Sequence, residues 1–261
     1  MKSYSYTCIP TFFLLSVIVI TSAITRATND DSQWLAAEAK ALREMGWWSN
    51  YKRVGNHYMW PGIRCNAGSV VDIDLSGHGL NGGIRLQIGA LSKLKLLNLS
   101  SNSLTGEFPF SLGNLTQLTV LDLSYNMLVG PVPSSVSNLT NLSSLFLQSN
   151  QLNGSIPEDI GRLTNLVAMN LSSNCLVGPI LSSVSNLTNL SSLFLQSNQL
   201  NGSIPKDIGG LTNLVELDLS SNRLSGHVPS FLGQLTNLCS LSNLRRIYVV
   251  SFRASILVLH L

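Results

Sequence analysis

Nine Asn-x-Ser/Thr triplets are the most abundant chemistry in this chain. Asn98, Asn114, Asn138, Asn141, Asn153, Asn170, Asn186, Asn189 and Asn201 each carry the acceptor pattern for an N-linked glycan. Acid–base chemistry has fewer candidates. Asp72, Asp74, Asp122 and Asp218 lie in alternating apolar–polar segments, which predicts exposed strand positions. Carboxylates on a solvated sheet have no burial to separate their pKa values, so they make no general acid/base pair. His57, His78, His227 and His260 are scattered along the chain. No catalytic constellation, metal site or other cofactor is expected, and the chain does not read as an enzyme. Charged residues make up 11% of it and the net charge is +3. That balance, with no basic stripe or aromatic platform, argues against a nucleic-acid partner.

The elements that position these residues follow from one period. Asn102, Asn126, Asn150, Asn174, Asn198 and Asn222 recur every 24 residues, with Leu99, Leu123, Leu147, Leu171, Leu195 and Leu219 three places before them. A fixed period of this length means one supersecondary unit stacked on copies of itself. The unit, L-x-x-L-x-L-x-x-N-x-L, is similar to the leucine-rich repeat. The predicted fold is therefore an α/β solenoid with a parallel sheet on its concave face. Each unit opens with a short strand, as at 143–149, whose leucines point inward and whose intervening residues are displayed. The asparagine amide is expected to pair backbone groups inside the following turn. His78 stands at the asparagine position of an irregular first coil and is expected to serve as a turn residue.

Two display columns emerge from this register. The first contains Asp74, Asn98, Asp122, Phe146, Asn170, Phe194 and Asp218. Two places further on stand Ser76, Ser100, Ser124, Gln148, Ser172, Gln196 and Ser220. Phe146 and Phe194 are apolar rings in a polar column, two coils or about 10 Å apart. Side chains three apart on an extended peptide have the same separation. Asp74, Asn98, Asp122, Tyr125, Phe146, Gln148, Asn170, Phe194, Gln196 and Asp218 form the candidate ligand-binding face. A glycan on Asn170 would stand over the rings, so ring recognition and Asn170 occupancy exclude one another; occupancy is expected.

After the asparagine come Leu104-Thr105-Gly106-Glu107-Phe108-Pro109, Leu152-Asn153-Gly154-Ser155-Ile156-Pro157 and Leu200-Asn201-Gly202-Ser203-Ile204-Pro205. This L-x-G-x-[IVF]-P stretch resembles the plant-type leucine-rich repeat of receptor-like kinases. One coil departs from it, with Leu181 where proline is expected. Residues 134–157 and 182–205 are identical, which reads as a duplication of two repeats. Ahead of the repeats, the spacing of Asp30 and Gln33 predicts a capping box, and Leu35, Leu42 and Met45 a helical stripe ending at Gly46. Trp47-Trp48 and the stretch from His57 to Asn66 look like the amino-terminal cap of plant receptor kinases. In that family C-x-W-x-G-[IV]-x-C closes a disulfide. Here Tyr58 occupies the first cysteine's place and leaves Cys65 without that partner.

The predicted organisation is a signal peptide over 1–23, a cap over 24–69, repeats over 70–241 and a non-repeat apolar tail over 242–261. Lys2, the apolar run 12–20 and the small residues Thr21-Ser22-Ala23 carry the signal assignment. Cys8 would leave with it. Cys65, Cys175 and Cys239 lie coils apart, too far for an intramolecular disulfide, whose Cα atoms must approach within about 7 Å. The tail is short of the ~20 apolar residues of a spanning helix and contains Arg253; no kinase signature follows. Membrane association is expected only of a longer form with a spanning helix. The resemblance implies a secreted or cell-surface recognition module in signalling, with a peptide or protein ligand and a co-receptor as partners. Its alternatives are a secreted inhibitor of cell-wall-degrading enzymes, similar to the polygalacturonase-inhibiting proteins, and a truncated, non-signalling receptor relic.

Overall fold

The computed structural model describes residues 36–49, 60–226 and 230–242. The signal segment, the capping box at Asp30 and Gln33, and Leu35 lie outside these residues. So do His57, Tyr58, His227 and the tail beyond 242. Within them, one period-24 unit is built seven times over. Each coil contributes a strand, three residues long in every coil after the first, then a sharp turn, a second short strand and a five-residue 3-10 helix.

The long sheet has nine strands. Its first, β1 (Ile63–Asn66), belongs to the cap and runs antiparallel to β2 (Ser69–Asp74). Every later neighbour is parallel and one period away: Leu96–Asn98, Val120–Asp122, Ser144–Phe146, Ala168–Asn170, Ser192–Phe194, Glu216–Asp218 and Ser240–Ser242. The register never slips, so Leu97, Leu121, Leu145, Met169, Leu193 and Leu217 form one buried row. The second strands form a four-stranded and a three-stranded sheet on the flank. The 3-10 helices close the opposite side, from Leu86–Ala90 to Ser230–Gln234. Buried residues from all coils make a single continuous core.

The asparagine column works as expected and does more. Asn150 Nδ2 donates to Leu147 O in its own turn at 3.2 Å and to Leu123 O in the preceding coil at 2.9 Å. Its Oδ1 accepts the N–H of Leu128, again in the preceding coil, at 3.0 Å. Asn102, Asn126, Asn174, Asn198 and Asn222 repeat the pattern. Each amide therefore staples two coils as well as closing one turn. His78 takes only the local part of this role, its Nδ1 meeting Ser76 O at 2.8 Å.

A second staple was not foreseen. Asn141, Asn165, Asn189, Asn213 and Asn237 each donate Nδ2 to the carbonyl of a threonine in the coil before, at 2.8–2.9 Å. The proline-less coil is accommodated without distortion. Leu181 has φ −79 and ψ 150, beside φ −70 and ψ 144 at Pro133, so the backbone keeps its course into the helix. Glycine is required at φ +70 in Gly154, where the second strand ends.

In the cap, a helix over 36–45 (α1) buries Leu42 and Met45, the stripe read from the sequence. Trp48 packs between Trp47 and Trp60, with ring centroids 5.8 and 5.5 Å away. Its Nε1 donates to Pro61 O at 2.9 Å. One expectation is overturned here. Asp72 is buried and not displayed, because the antiparallel cap strand brings Arg64 across to it as an ion pair.

Candidate functional site

The open face of the long sheet assembles the first display column into one unbroken row. Asp74, Asn98, Asp122, Phe146, Asn170, Phe194 and Asp218 are register partners strand by strand. Adjacent members lie about 4.8 Å apart, the strand spacing. Asp74 is exposed and the others are half-buried.

The polar members of the row are fastened to their own strands. Asn98 Oδ1 accepts the N–H and the hydroxyl of Ser100 at 3.1 and 2.7 Å. Asp122 holds Ser124 in the same way at 3.0 and 2.6 Å, and Asn170 holds Ser172 at 3.0 and 2.7 Å. Asp74 does so with Ser76, and Asp218 accepts the Ser220 N–H. One oxygen of each side chain shapes the turn; the remaining polar atom is left for solvent or a partner.

The ring coils break this pattern. Where Phe146 and Phe194 replace the Asx residue, Gln148 and Gln196 replace serine, and their Oε1 atoms are enclosed without a hydrogen-bond partner. Tyr125, 57% exposed, stands at φ 53, a left-handed position that the neighbouring coils fill with Ser101 and Ser149. The repeat turn imposes this φ on every coil, and a bulky ring is held there at a cost.

A third column escaped the sequence reading. Leu96, Val120, Ser144, Ala168, Ser192 and Glu216 share a register row and point to the same face as the display column. Leu96 and Val120 put half-buried apolar surface beside Asn98 and Asp122. The alternation that identified the first column also contains this one, since both lie two residues apart on each strand.

The candidate glycan sites fall on three surfaces. Asn98 and Asn170 are on the open face of the long sheet. Asn153 and Asn201 are exposed on the flanking strands Gln151–Asn153 and Gln199–Gly202. Asn114, Asn138 and Asn186 are exposed at the ends of 3-10 helices, and Asn141 and Asn189 belong to the second staple.

Beside β1 lies a shallow depression of about 290 Å³ lined by Arg64, Cys65, Asn66, Val71, Asp72 and Lys95. Burial pushes the Cys65 thiol up to about 11, and the nearby Glu38 carboxylate adds to the shift. Glu38 is itself buried on α1, and its carboxyl is held above the ordinary value by that burial. The Val70 N–H, 3.1 Å from Oε2, the Ser69 hydroxyl and Lys93 oppose the shift. Cys65, Cys175 and Cys239 are all unpaired. Among the described residues no group of His, Cys, Asp and Glu could hold a metal ion, and no helix is long and apolar enough to cross a membrane.

A 24-residue period, an in-register parallel sheet and an asparagine staple in each turn define a leucine-rich repeat solenoid. The family described as leucine-rich repeat region matches residues 64–201, and a further leucine-rich repeat matches 213–235. The chain belongs to the leucine-rich repeat proteins, and its repeats are of the plant receptor ectodomain type.

Among solved structures, the plant peptide hormone receptor RGFR1 in complex with RGF2 is 43% identical with a TM-score of 0.63. That match covers 64% of this chain and 27% of the receptor chain. The Arabidopsis HAESA ectodomain, in complex with an IDA peptide hormone, is 33% identical over 80% of this chain and 36% of its own, with a TM-score of 0.68. PEPR1 with AtPEP1 is 36% identical over 70% of this chain and 26% of that chain, with a TM-score of 0.69. The protein thus spans about a quarter to a third of the receptor chains it matches. Comparison with the curated proteins found no match.

Proposed function

We propose that the protein is a secreted recognition module that binds an extended peptide or a protein segment along the open face of its long sheet, in cell-surface signalling. The observation that carries this reading is the apolar strip Leu96–Val120, flanked in register by Asn98 and Asp122 and overlooked by the strained, exposed Tyr125. Half-buried apolar groups rimmed by polar ones are what binding surfaces use. The plant peptide hormone receptor RGFR1, in complex with RGF2, and the HAESA leucine-rich repeat ectodomain, in complex with a peptide hormone, share this fold at 43% and 33% identity. HAESA was also solved with the co-receptor SERK1, which makes a second protein partner part of the proposal. The signal segment 1–23 would direct export, and membrane attachment would need a spanning helix supplied by a longer form.

The contacts run from Asp74 through Asp122 and Tyr125, and the face continues over Phe146, Gln148, Phe194, Gln196 and Asp218. A displayed library of random twelve-residue peptides, selected against the unglycosylated protein, tests it. The enriched peptides should lose at least tenfold in affinity on Asp122→Arg or Tyr125→Ser and be indifferent to Thr164→Arg on the helix side. Enriched peptides that respond only to Thr164→Arg would move recognition off this face.

A further inference from the structure

The rings of Phe146 and Phe194 have a nearer occupant than any ligand. Asn170 stands between them on the intervening strand, in register with both. Its Oδ1 is occupied by the Ser172 N–H and hydroxyl at 3.0 and 2.7 Å, while Nδ2 has no hydrogen-bond partner among the described residues. Asn170-Leu171-Ser172 is also a glycan acceptor triplet.

We propose that Asn170 carries an N-linked glycan in the exported protein and that the first sugar of that glycan is clasped between Phe146 and Phe194. The strands bearing the rings are two spacings apart, about 10 Å. A pyranose between two rings needs carbon contacts of about 3.5–4 Å on each face, a gap of roughly 7–8 Å. Both rings are half-buried, and a slight inward lean from strands about 10 Å apart would bring them to that gap. The negative faces of the rings meet the weakly positive axial C–H groups of the sugar, and both apolar surfaces leave water.

The glycan is donated by a lipid diphosphate-linked oligosaccharide. The Asn170 Nδ2–C1 bond forms as the bond from C1 to the diphosphate oxygen breaks. The lipid diphosphate departs and the amide gives up one proton. Transfer takes place on the chain before it folds, so the burial of Ser172 in the finished sheet does not oppose it.

Asn98 is a built-in control. It stands in the same column, in the same triplet, with the same two bonds to its serine at 3.1 and 2.7 Å. Its register partners are Asp74 and Asp122, which offer no apolar surface to a sugar. Asn201 is exposed on the flank, away from the ring pair. A clasped sugar at Asn170 would close the middle of the open face, and a glycan on Asn98 would by the same argument stand over the Leu96–Val120 strip, so peptide binding there belongs to molecules in which Asn98 is unmodified. The proposal extends the secretory reading but does not need a ligand, and its test is separate from the peptide selection on unglycosylated protein.

The full chain secreted from mammalian cells is treated, without denaturation, with peptide N-glycosidase in heavy-oxygen water. Site-by-site release is then followed by peptide mass spectrometry. Asn170 should be occupied, and its glycan should be released at least tenfold more slowly than those of Asn98 and Asn201. In Phe146→Ala/Phe194→Ala, with an unchanged circular dichroism spectrum, Asn170 should be released at the rate of Asn98. The converse variant, Asp74→Phe/Asp122→Phe, should slow release at Asn98 and so keeps the test decisive if the alanine pair misfolds. An empty Asn170, or release rates indifferent to the rings in both variants, would overturn the proposal.

Discussion

Asn150 and Asn165 make the same kind of bond to a preceding coil in very different surroundings. Asn150 is buried, and Asn150→Leu would strand the Leu128 N–H and the carbonyls of Leu123 and Leu147 away from water. A loss of about 1–3 kcal/mol is expected in urea unfolding. Asn165 is exposed, so the Thr140 carbonyl freed by Asn165→Leu is rehydrated, and a loss well under 1 kcal/mol is expected. Equal losses at the two sites would mean that burial does not set the worth of these bonds. Tyr125 is expected to show the opposite balance. Tyr125→Asn relieves a left-handed φ of 53, which asparagine tolerates, and should raise stability by about 1 kcal/mol while weakening library-selected peptides. The first asparagine column was legible in the sequence because one residue type held one spacing. The second was equally periodic, yet its members double as glycan triplets at Asn141 and Asn189, and that chemistry drew the reading.

Between coils, the close approach of 3-10 helices is controlled by glycine. A Cβ on Gly113 would lie 2.4 Å from the Ser135 carbonyl oxygen of the next coil. Gly113→Ala should therefore cost roughly 1–3 kcal/mol by forcing two helices apart. The cap meets the repeats through Glu38, whose carboxyl accepts the Val70 N–H while buried on α1. Burial raises its pKa in the folded state above the ordinary 4.5. The carboxyl's contribution is then fully present below the unfolded value, and it is lost as pH rises through the raised one. Glu38→Gln keeps an acceptor for Val70 and removes the titration. It should flatten the fall in stability above pH 4.5; an unchanged pH profile would place the titrating group elsewhere. The helix of the cap was readable from Leu42 and Met45. The cap strand was not, because Ile63-Arg64-Cys65-Asn66 alternates too briefly to stand out, and its pairing with β2 buried Asp72 against expectation.

A solenoid whose coils touch only their neighbours has a stability close to a sum of interfaces. The duplication allows a clean test, since residues 134–157 and 182–205 are identical. Deleting 134–181 joins Pro133 to Ser182, a junction already present in the protein as Pro133-Ser134. The shortened chain should remain folded, with a smaller denaturant m-value and lower stability. Loss of the fold would show that coupling reaches beyond neighbours. Fold, register and the first display column were all legible because a fixed period sets them together. The Leu96–Val120 strip was not singled out, since two columns alternate on one strand and only the one between the leucines was followed. The central claim is that recognition occurs on the open face of the long sheet, and hydrogen–deuterium exchange with a library-selected peptide tests it most directly. Protection is expected in segments 94–101 and 118–126, with 158–165 on the helix side unchanged. Protection confined to 158–165, with the strand segments unaffected, would contradict it.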